Sequence, residues 1–262
     1  MSGPAAAVAL TPLERLLRRD RLLIGGALAA LTALSWIQMF APGACPMPTA
    51  AAGLSPCCAS RFPIAFPMWV VMMAGMMIPS VAPMVLTHAA IARRRARLGS
   101  PFVSSALFLA GYLAAWSAFS AAAAAAQTAL ARAAVLDARS LSIGPWAGAA
   151  VLAAAAAFQL SPAKSACLAR CRAPVGWFIT EWREGKAGAV QMGLRHGAFC
   201  IGCCWLLMAV LFAVGIMNIV WGAALTAFVV AEKALPWRRA VVWSGGALCA
   251  AGAAALLWRA IS

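Results

Sequence analysis

Seven apolar stretches dominate the sequence and constrain its fold more than any other feature. They cover residues 22–40, 65–87, 102–130, 145–160, 197–215, 217–233 and 240–258. Most of them match the roughly 17–25 residues that a helix needs to cross the hydrocarbon core of a bilayer. Only 10% of the chain is charged, whereas a soluble domain carries about 25% charged residues to cover its surface. The sequence therefore predicts an all-α, polytopic transmembrane helix bundle with about seven spans.

The positions of the basic residues indicate the orientation of these spans. With seven spans and a cytoplasmic N-terminus, most of the 21 Lys and Arg residues lie on the inside, as the positive-inside rule requires. The stretch at 145–160 is short and rich in Ala, but leaving it out would place a strongly basic loop outside. We therefore expect a multi-pass protein of the bacterial inner membrane with its N-terminus in the cytoplasm.

The net charge has an explanation that needs no nucleic acid. The formal net charge is +15, and a basic cytoplasmic face is attracted to anionic lipid headgroups. We accordingly expect the lipid bilayer, and not a nucleic acid, to be the partner of this surface.

A histidine and three cysteines lie close together in the fifth apolar stretch. At about 100° per residue, their side chains fall on one face of a helix. These four residues are His196, Cys200, Cys203 and Cys204. Thiols and an imidazole offer a soft coordination site, but one helix cannot surround a metal, so two or three ligands are expected from this face. Gly197 and Gly202 leave room for another helix to approach and supply a further ligand.

The second apolar stretch carries several methionines. The candidate ligands among them are Met68, Met72, Met76 and Met77. Thioethers suit Cu(I) and are poor ligands for zinc or magnesium, although methionine also fills irregular gaps between helices. Pro79 in the same stretch should free a backbone carbonyl that a packed neighbour must satisfy.

Cysteines also lie on both sides of the predicted core. Cys167 and Cys171 would share one face of a helix on the cytoplasmic side, where they could form an inner acceptor site. Cys45, Cys57 and Cys58 fall in the predicted outer loop. In a bacterial periplasm we expect Cys45 to form a disulfide with one of the other two more readily than to bind a metal.

The six acidic residues all fall in loops or at the ends of predicted spans. Proton relays and pathways for hard cations usually need carboxylates within the membrane, so proton coupling and transport of Mg²⁺ or Ca²⁺ are disfavoured. The sequence contains neither a phosphate-binding loop nor a grouping that suggests hydrolysis. We therefore expect neither an ATP-driven pump nor an enzyme.

Several segments form a set that is characteristic of one family. They include Met72-Met73-Ala-Gly-Met76-Met77-Ile-Pro79, Cys167-Leu-Ala-Arg-Cys171, and His196-Gly-Ala-Phe-Cys200-Ile-Gly-Cys203-Cys204-Trp205. Together they resemble a bacterial family of predicted metal-binding integral membrane proteins whose core domain has no assigned function. The resemblance covers roughly residues 65 to 240 and implies metal binding, but it implies neither a reaction nor a particular metal.

These observations suggest four parts of the chain. They are a basic cytoplasmic N-terminus at 1–21, the first span and the outer Cys-containing loop at 22–64, a metal-binding membrane core at 65–240, and the last span with the C-terminus at 241–262.

Soft donors without intramembrane carboxylates favour one function over two alternatives. We interpret the chain as a membrane protein that binds a soft transition metal, best matched by Cu(I), and transfers or delivers it at the inner membrane with the help of a metal-donor or metal-acceptor protein. The first alternative is a membrane thiol–disulfide redox protein that uses the same cysteines. The second is an assembly or scaffold subunit in which the sulfur residues only pack helices.

Overall fold

The computed structural model describes residues 12–40, 61–99, 103–137, 141–216 and 218–262, which are helical apart from short connections. Nine helices lie within these ranges: α1 (Pro12–Phe40), α2 (Phe62–Arg97), α3 (Ser105–Arg132), α4 (Pro145–Gln159), α5 (Pro162–Arg172), α6 (Pro174–Glu181), α7 (Gly185–Val214), α8 (Ile219–Ala234) and α9 (Arg238–Ile261). The predicted outer cysteines Cys45, Cys57 and Cys58 lie outside the described residues.

The lengths of the helices confirm the expected all-α fold of a membrane protein. Among the described residues, five helices are long and apolar enough to cross a membrane, namely α1, α2, α3, α7 and α9. Helices α4 and α5 meet the same requirement together, but the chain bends by 65° between them. Helix α8 has only 16 residues. The structure thus contains five candidate spans, or six with the bent pair, and a total of seven stays a prediction.

Helix α2 continues through three internal prolines, Pro67, Pro79 and Pro83. Pro79 cannot donate to the carbonyl four residues earlier, which belongs to Gly75. The indole Nε1 of Trp36 in α1 donates to this oxygen at 3.3 Å. The expectation that a neighbouring helix satisfies the freed carbonyl is therefore confirmed.

Helices α3 and α7 cross in close contact because glycines line their interface. A Cβ atom at Gly193 would lie 2.0 Å from the carbonyl oxygen of Phe108, and one at Gly111 would lie 2.1 Å from that of Val190. Such contacts are possible only for residues without a side chain. The crossing places Tyr112 of α3 directly beside α7.

The buried core lies where α2, α3 and α7 come together. Helix α3 packs against both α2 and α7. Helices α2 and α7 also meet through the stacked rings of Trp69 and Phe212, whose centroids are 5.5 Å apart. Trp69 donates a hydrogen bond of 2.6 Å to Gln127. Helices α4, α5 and α8 pack against α7 as well, so the described helices enclose the cysteine-bearing part of α7 on several sides.

Candidate metal centre

The three cysteines of α7 are buried on the face that points into the protein. Cys200, Cys203 and Cys204 are each no more than 1% exposed. The thiols of Cys203 and Cys204 donate to the backbone carbonyl oxygen of Cys200, at 3.1 and 2.8 Å. The spacing of one helical turn therefore gathers three sulfur atoms within the bundle.

Helix α5 brings a fourth thiol to this place. The hydroxyl of Ser161 accepts from the backbone N–H of Lys164 and restarts the helix after the 65° bend. Cys171 of α5 is thereby buried in the same core as Cys200, Cys203 and Cys204, where α5 packs against α7. We call Cys171, Cys200, Cys203 and Cys204 the thiol cluster.

Gly202 explains how α5 can approach α7 so closely. A Cβ atom at Gly202 would lie only 3.2 Å from the sulfur of Cys167. Another helix does lie against this glycine, as expected, and it carries Cys167 and Cys171. Cys167 itself is half-buried, whereas Cys171 is buried.

A buried ion pair fixes α5 against α8. The ammonium of Lys164 donates to the carboxylate of Glu232 at 2.9 Å, and both side chains are at most 2% exposed. The amide of Gln159 donates to the second carboxylate oxygen at 2.9 Å, and Arg172 donates to the backbone carbonyls of Glu232 and Leu235. Glu232 lies at a helix end, as the sequence indicated, but it is buried and paired with a lysine.

Three polar side chains from three other helices contact the thiol cluster or its neighbours. The ammonium of Lys233 donates to the sulfur of Cys200 at 3.0 Å and to the hydroxyl of Ser80 at 2.9 Å. The hydroxyl of Tyr112 lies 3.1 Å from the same sulfur. Sequence reasoning missed these contacts, and the only signal for one of them was the position of Lys233 at the end of an apolar stretch.

The methionines of α2 lie in the same apolar core as the thiol cluster. Met72, Met76 and Met77 are buried, and Met68 is half-buried. Two residues connect α2 to the thiol cluster indirectly. The hydroxyl of Ser80 accepts from Lys233, and the carbonyl oxygen of Met77 lies 3.5 Å from the hydroxyl of Tyr112. A role for the thioethers as ligands stays a prediction.

His196 lies among aromatic rings one helical turn before Cys200. Its ring centroid is 5.5 Å from that of Trp177, 5.9 Å from that of Tyr112 and 6.1 Å from that of Phe108. Its Nδ1 atom is buried without a hydrogen-bond partner among the described residues. Because buried ring nitrogens are normally paired, this atom is available to coordinate a metal ion.

The metal-binding arrangement is incomplete in the conformation shown. No group of three or more His, Cys, Asp or Glu side chains among the described residues is placed to hold a metal ion. Two of the cysteine thiols, those of Cys203 and Cys204, instead donate to the carbonyl oxygen of Cys200. These thiols would have to turn away from the carbonyl to coordinate a metal together.

Comparison with known proteins assigns the family. A family model described as "PpoB2: Copper chaperone" matches residues 66–256. The chain belongs to this family. The match covers α2 to α8 and most of α9. No curated protein and no solved structure matches the chain.

Membership of a copper chaperone family agrees with the donors that the structure gathers. Thiolates and thioethers select Cu(I), whereas carboxylates and carbonyls suit harder ions. The described interior contains four thiols buried in one core cluster and one carboxylate, that of Glu232, which Lys164 already neutralises. The chemistry of the core therefore fits a soft cargo.

Proposed function

We propose that this chain binds Cu(I) at the thiol cluster and delivers it at the bacterial inner membrane. The observation that carries the proposal is the packing of α5 against α7, which buries Cys171 in the same core as Cys200, Cys203 and Cys204. Two helices can partly enclose a metal ion where one cannot. The family of copper chaperones supplies an independent argument for copper as the cargo.

The surrounding donors suggest a path for the metal. Met68, Met72, Met76 and Met77 follow one another along α2 and offer weak thioether ligands from which an ion can move on. Half-buried Cys167 lies beside the cluster and is the thiol from which an acceptor protein would take the ion. His196 would coordinate transiently at the same end of the site.

No source of energy is proposed for the transfer. Copper would pass from weak to stronger ligands and finally to an acceptor protein with a higher affinity, so the protein acts as a carrier and not as an enzyme. Each exchange replaces one sulfur or imidazole ligand by another, and the ion remains Cu(I) throughout.

We further propose seven spans with the N-terminus in the cytoplasm, in which α8 and the bent pair of α4 and α5 each count as one span. The distribution of Lys and Arg supports this orientation. Reporter fusions at the two termini test it, because they should place the N-terminus inside and the C-terminus outside. Two termini on the same side would contradict the proposal.

Cu(I) titration tests the proposed function directly. The protein is purified in detergent under reducing conditions and titrated against a competing Cu(I) chelator. We expect tight binding by the wild type and its loss in Cys200→Ser/Cys203→Ser/Cys204→Ser. Cys249→Ser is the matched control, because Cys249 is a free thiol of α9 outside the cluster. Equal affinities of the triple variant and the wild type would reject the proposal.

A further inference from the structure

Lys233 has an unusual orientation for a lysine at the end of a membrane helix. It lies in the last turn of α8, where lysines normally extend their ammonium groups toward water and lipid headgroups. Here the ammonium instead points into the bundle, where it contacts the sulfur of Cys200 and the hydroxyl of Ser80. The side chain thus brings a positive charge to the thiol cluster.

The neighbouring acid is engaged elsewhere. The carboxylate of Glu232 accepts hydrogen bonds from Lys164 and Gln159 at 2.9 Å each. The two partners that the structure gives to the ammonium of Lys233 are a thiol and a hydroxyl. Its charge is therefore available to balance a charge that develops at the thiol cluster.

The charge of the bound metal decides whether the ammonium of Lys233 neutralises the metal–dithiolate unit. When two thiols coordinate an ion, each loses its proton to solvent. Two thiolates and one Cu(I) carry one negative charge, which the ammonium of Lys233 neutralises. Two thiolates and a divalent ion are neutral, so the same ammonium would leave one uncompensated positive charge. Unbalanced charges are costly in the interior of a membrane protein.

We infer that Lys233 determines the metal specificity of the thiol cluster, as the counter-ion that makes a monovalent metal–dithiolate unit neutral and disfavours a divalent one. The inference rests on the proposed function, because it requires that Cys200 and a second thiol of the cluster bind the metal. Ser80 and Tyr112 assist by holding the ammonium and the sulfur of Cys200 in contact.

Two thiophilic ions that differ in charge provide the test. The affinities for Ag(I) and Cd(II) are measured by competition in detergent for the wild type, Lys233→Met, Lys233→Arg and Lys186→Met. Lys233→Arg retains the positive charge, and Lys186→Met removes an exposed lysine at the start of α7. Lys233→Gln, a neutral polar replacement, is measured in the same way in case Lys233→Met does not fold.

We expect the neutral variants at position 233 to shift the ratio of the Ag(I) and Cd(II) affinities toward Cd(II) by about tenfold or more. The negative charge of the Ag(I)–dithiolate unit would then lack the ammonium that balances it. The ratios for Lys233→Arg and Lys186→Met should stay at the wild-type value. An unchanged ratio in both neutral variants, or a shift toward Ag(I), would overturn the inference and leave the proposed function intact. If the wild type bound neither ion through the cluster cysteines, the proposed function itself would fail.

Discussion

Replacing Cys200 with serine is expected to weaken Cu(I) binding by more than about a hundredfold, because residues that merely support metal ligands already cost about 10–100-fold when they are mutated. Cys200 is buried in the same core as the other three thiols of the cluster, and its carbonyl oxygen accepts from those of Cys203 and Cys204. It also contacts Lys233 and Tyr112. A serine hydroxyl occupies a similar volume but is a hard and weak donor for Cu(I).

Single substitutions at the other cysteines provide the comparison. Cys203→Ser should also weaken binding, but to a smaller extent, since Cys204 lies on the same face of α7 and can replace it. Cys249→Ser should bind Cu(I) like the wild type. Competition with a Cu(I) chelator measures all three variants, and an equal loss in Cys249→Ser would show that the effect does not come from the thiol cluster.

Removing one partner of the buried Lys164–Glu232 pair should have the largest effect on stability. Lys164→Met leaves the buried carboxylate of Glu232 without its cation and with the amide of Gln159 as its remaining side-chain donor, for which the expected cost is about 3–5 kcal/mol. The pair also joins α5 to α8. The same substitution should therefore loosen α5, separate Cys171 from α7 and weaken Cu(I) binding.

A double variant separates the charge effect from general disruption. Lys164→Met/Glu232→Gln removes both charges of the buried pair, and the amide introduced at position 232 can still form a hydrogen bond with Gln159. It should recover most of the lost stability in unfolding experiments in detergent, followed by tryptophan fluorescence. If the double variant were no more stable than Lys164→Met, an unpaired charge would not be the cause of the destabilisation.

Local sequence patterns predicted much of the fold. Each of the seven apolar stretches contains a helix, because the length and hydropathy of a segment decide whether it can cross a membrane. The spacing of Cys200, Cys203 and Cys204 predicted a shared face, and all three are buried. Gly202 and Pro79 correctly indicated where a neighbouring helix must approach, since each has a local stereochemical consequence.

Helix boundaries were predicted less well. Helix α7 begins at Gly185, before the predicted start of the apolar stretch at 197. The earlier part of the helix carries Lys186 and Arg195, so the apolar pattern alone does not include it. Arg195 instead pairs with Glu181, so a helix can extend beyond its apolar portion where charged side chains find partners.

The contacts between distant segments could not be derived from the sequence. The pattern of α5 shows that Cys167 and Cys171 share a face, but not that a 65° bend turns this face toward α7. A lysine at a helix end is ordinarily assigned to the membrane surface, so the contact of Lys233 with Cys200 was unexpected. The pairing of Lys164 with Glu232 likewise depends on how α5 and α8 pack.

The central claim is that thiols from α5 and α7 hold the same copper ion. X-ray absorption at the copper edge tests it most directly, with the Cu(I)-loaded wild type compared with Cys171→Ser and Cys200→Ser. We predict a ligand shell of sulfur atoms in the wild type, with fewer sulfur ligands or no bound copper in each variant. A shell of nitrogen or oxygen ligands, or spectra that are identical for the wild type and both variants at equal copper content, would contradict the claim.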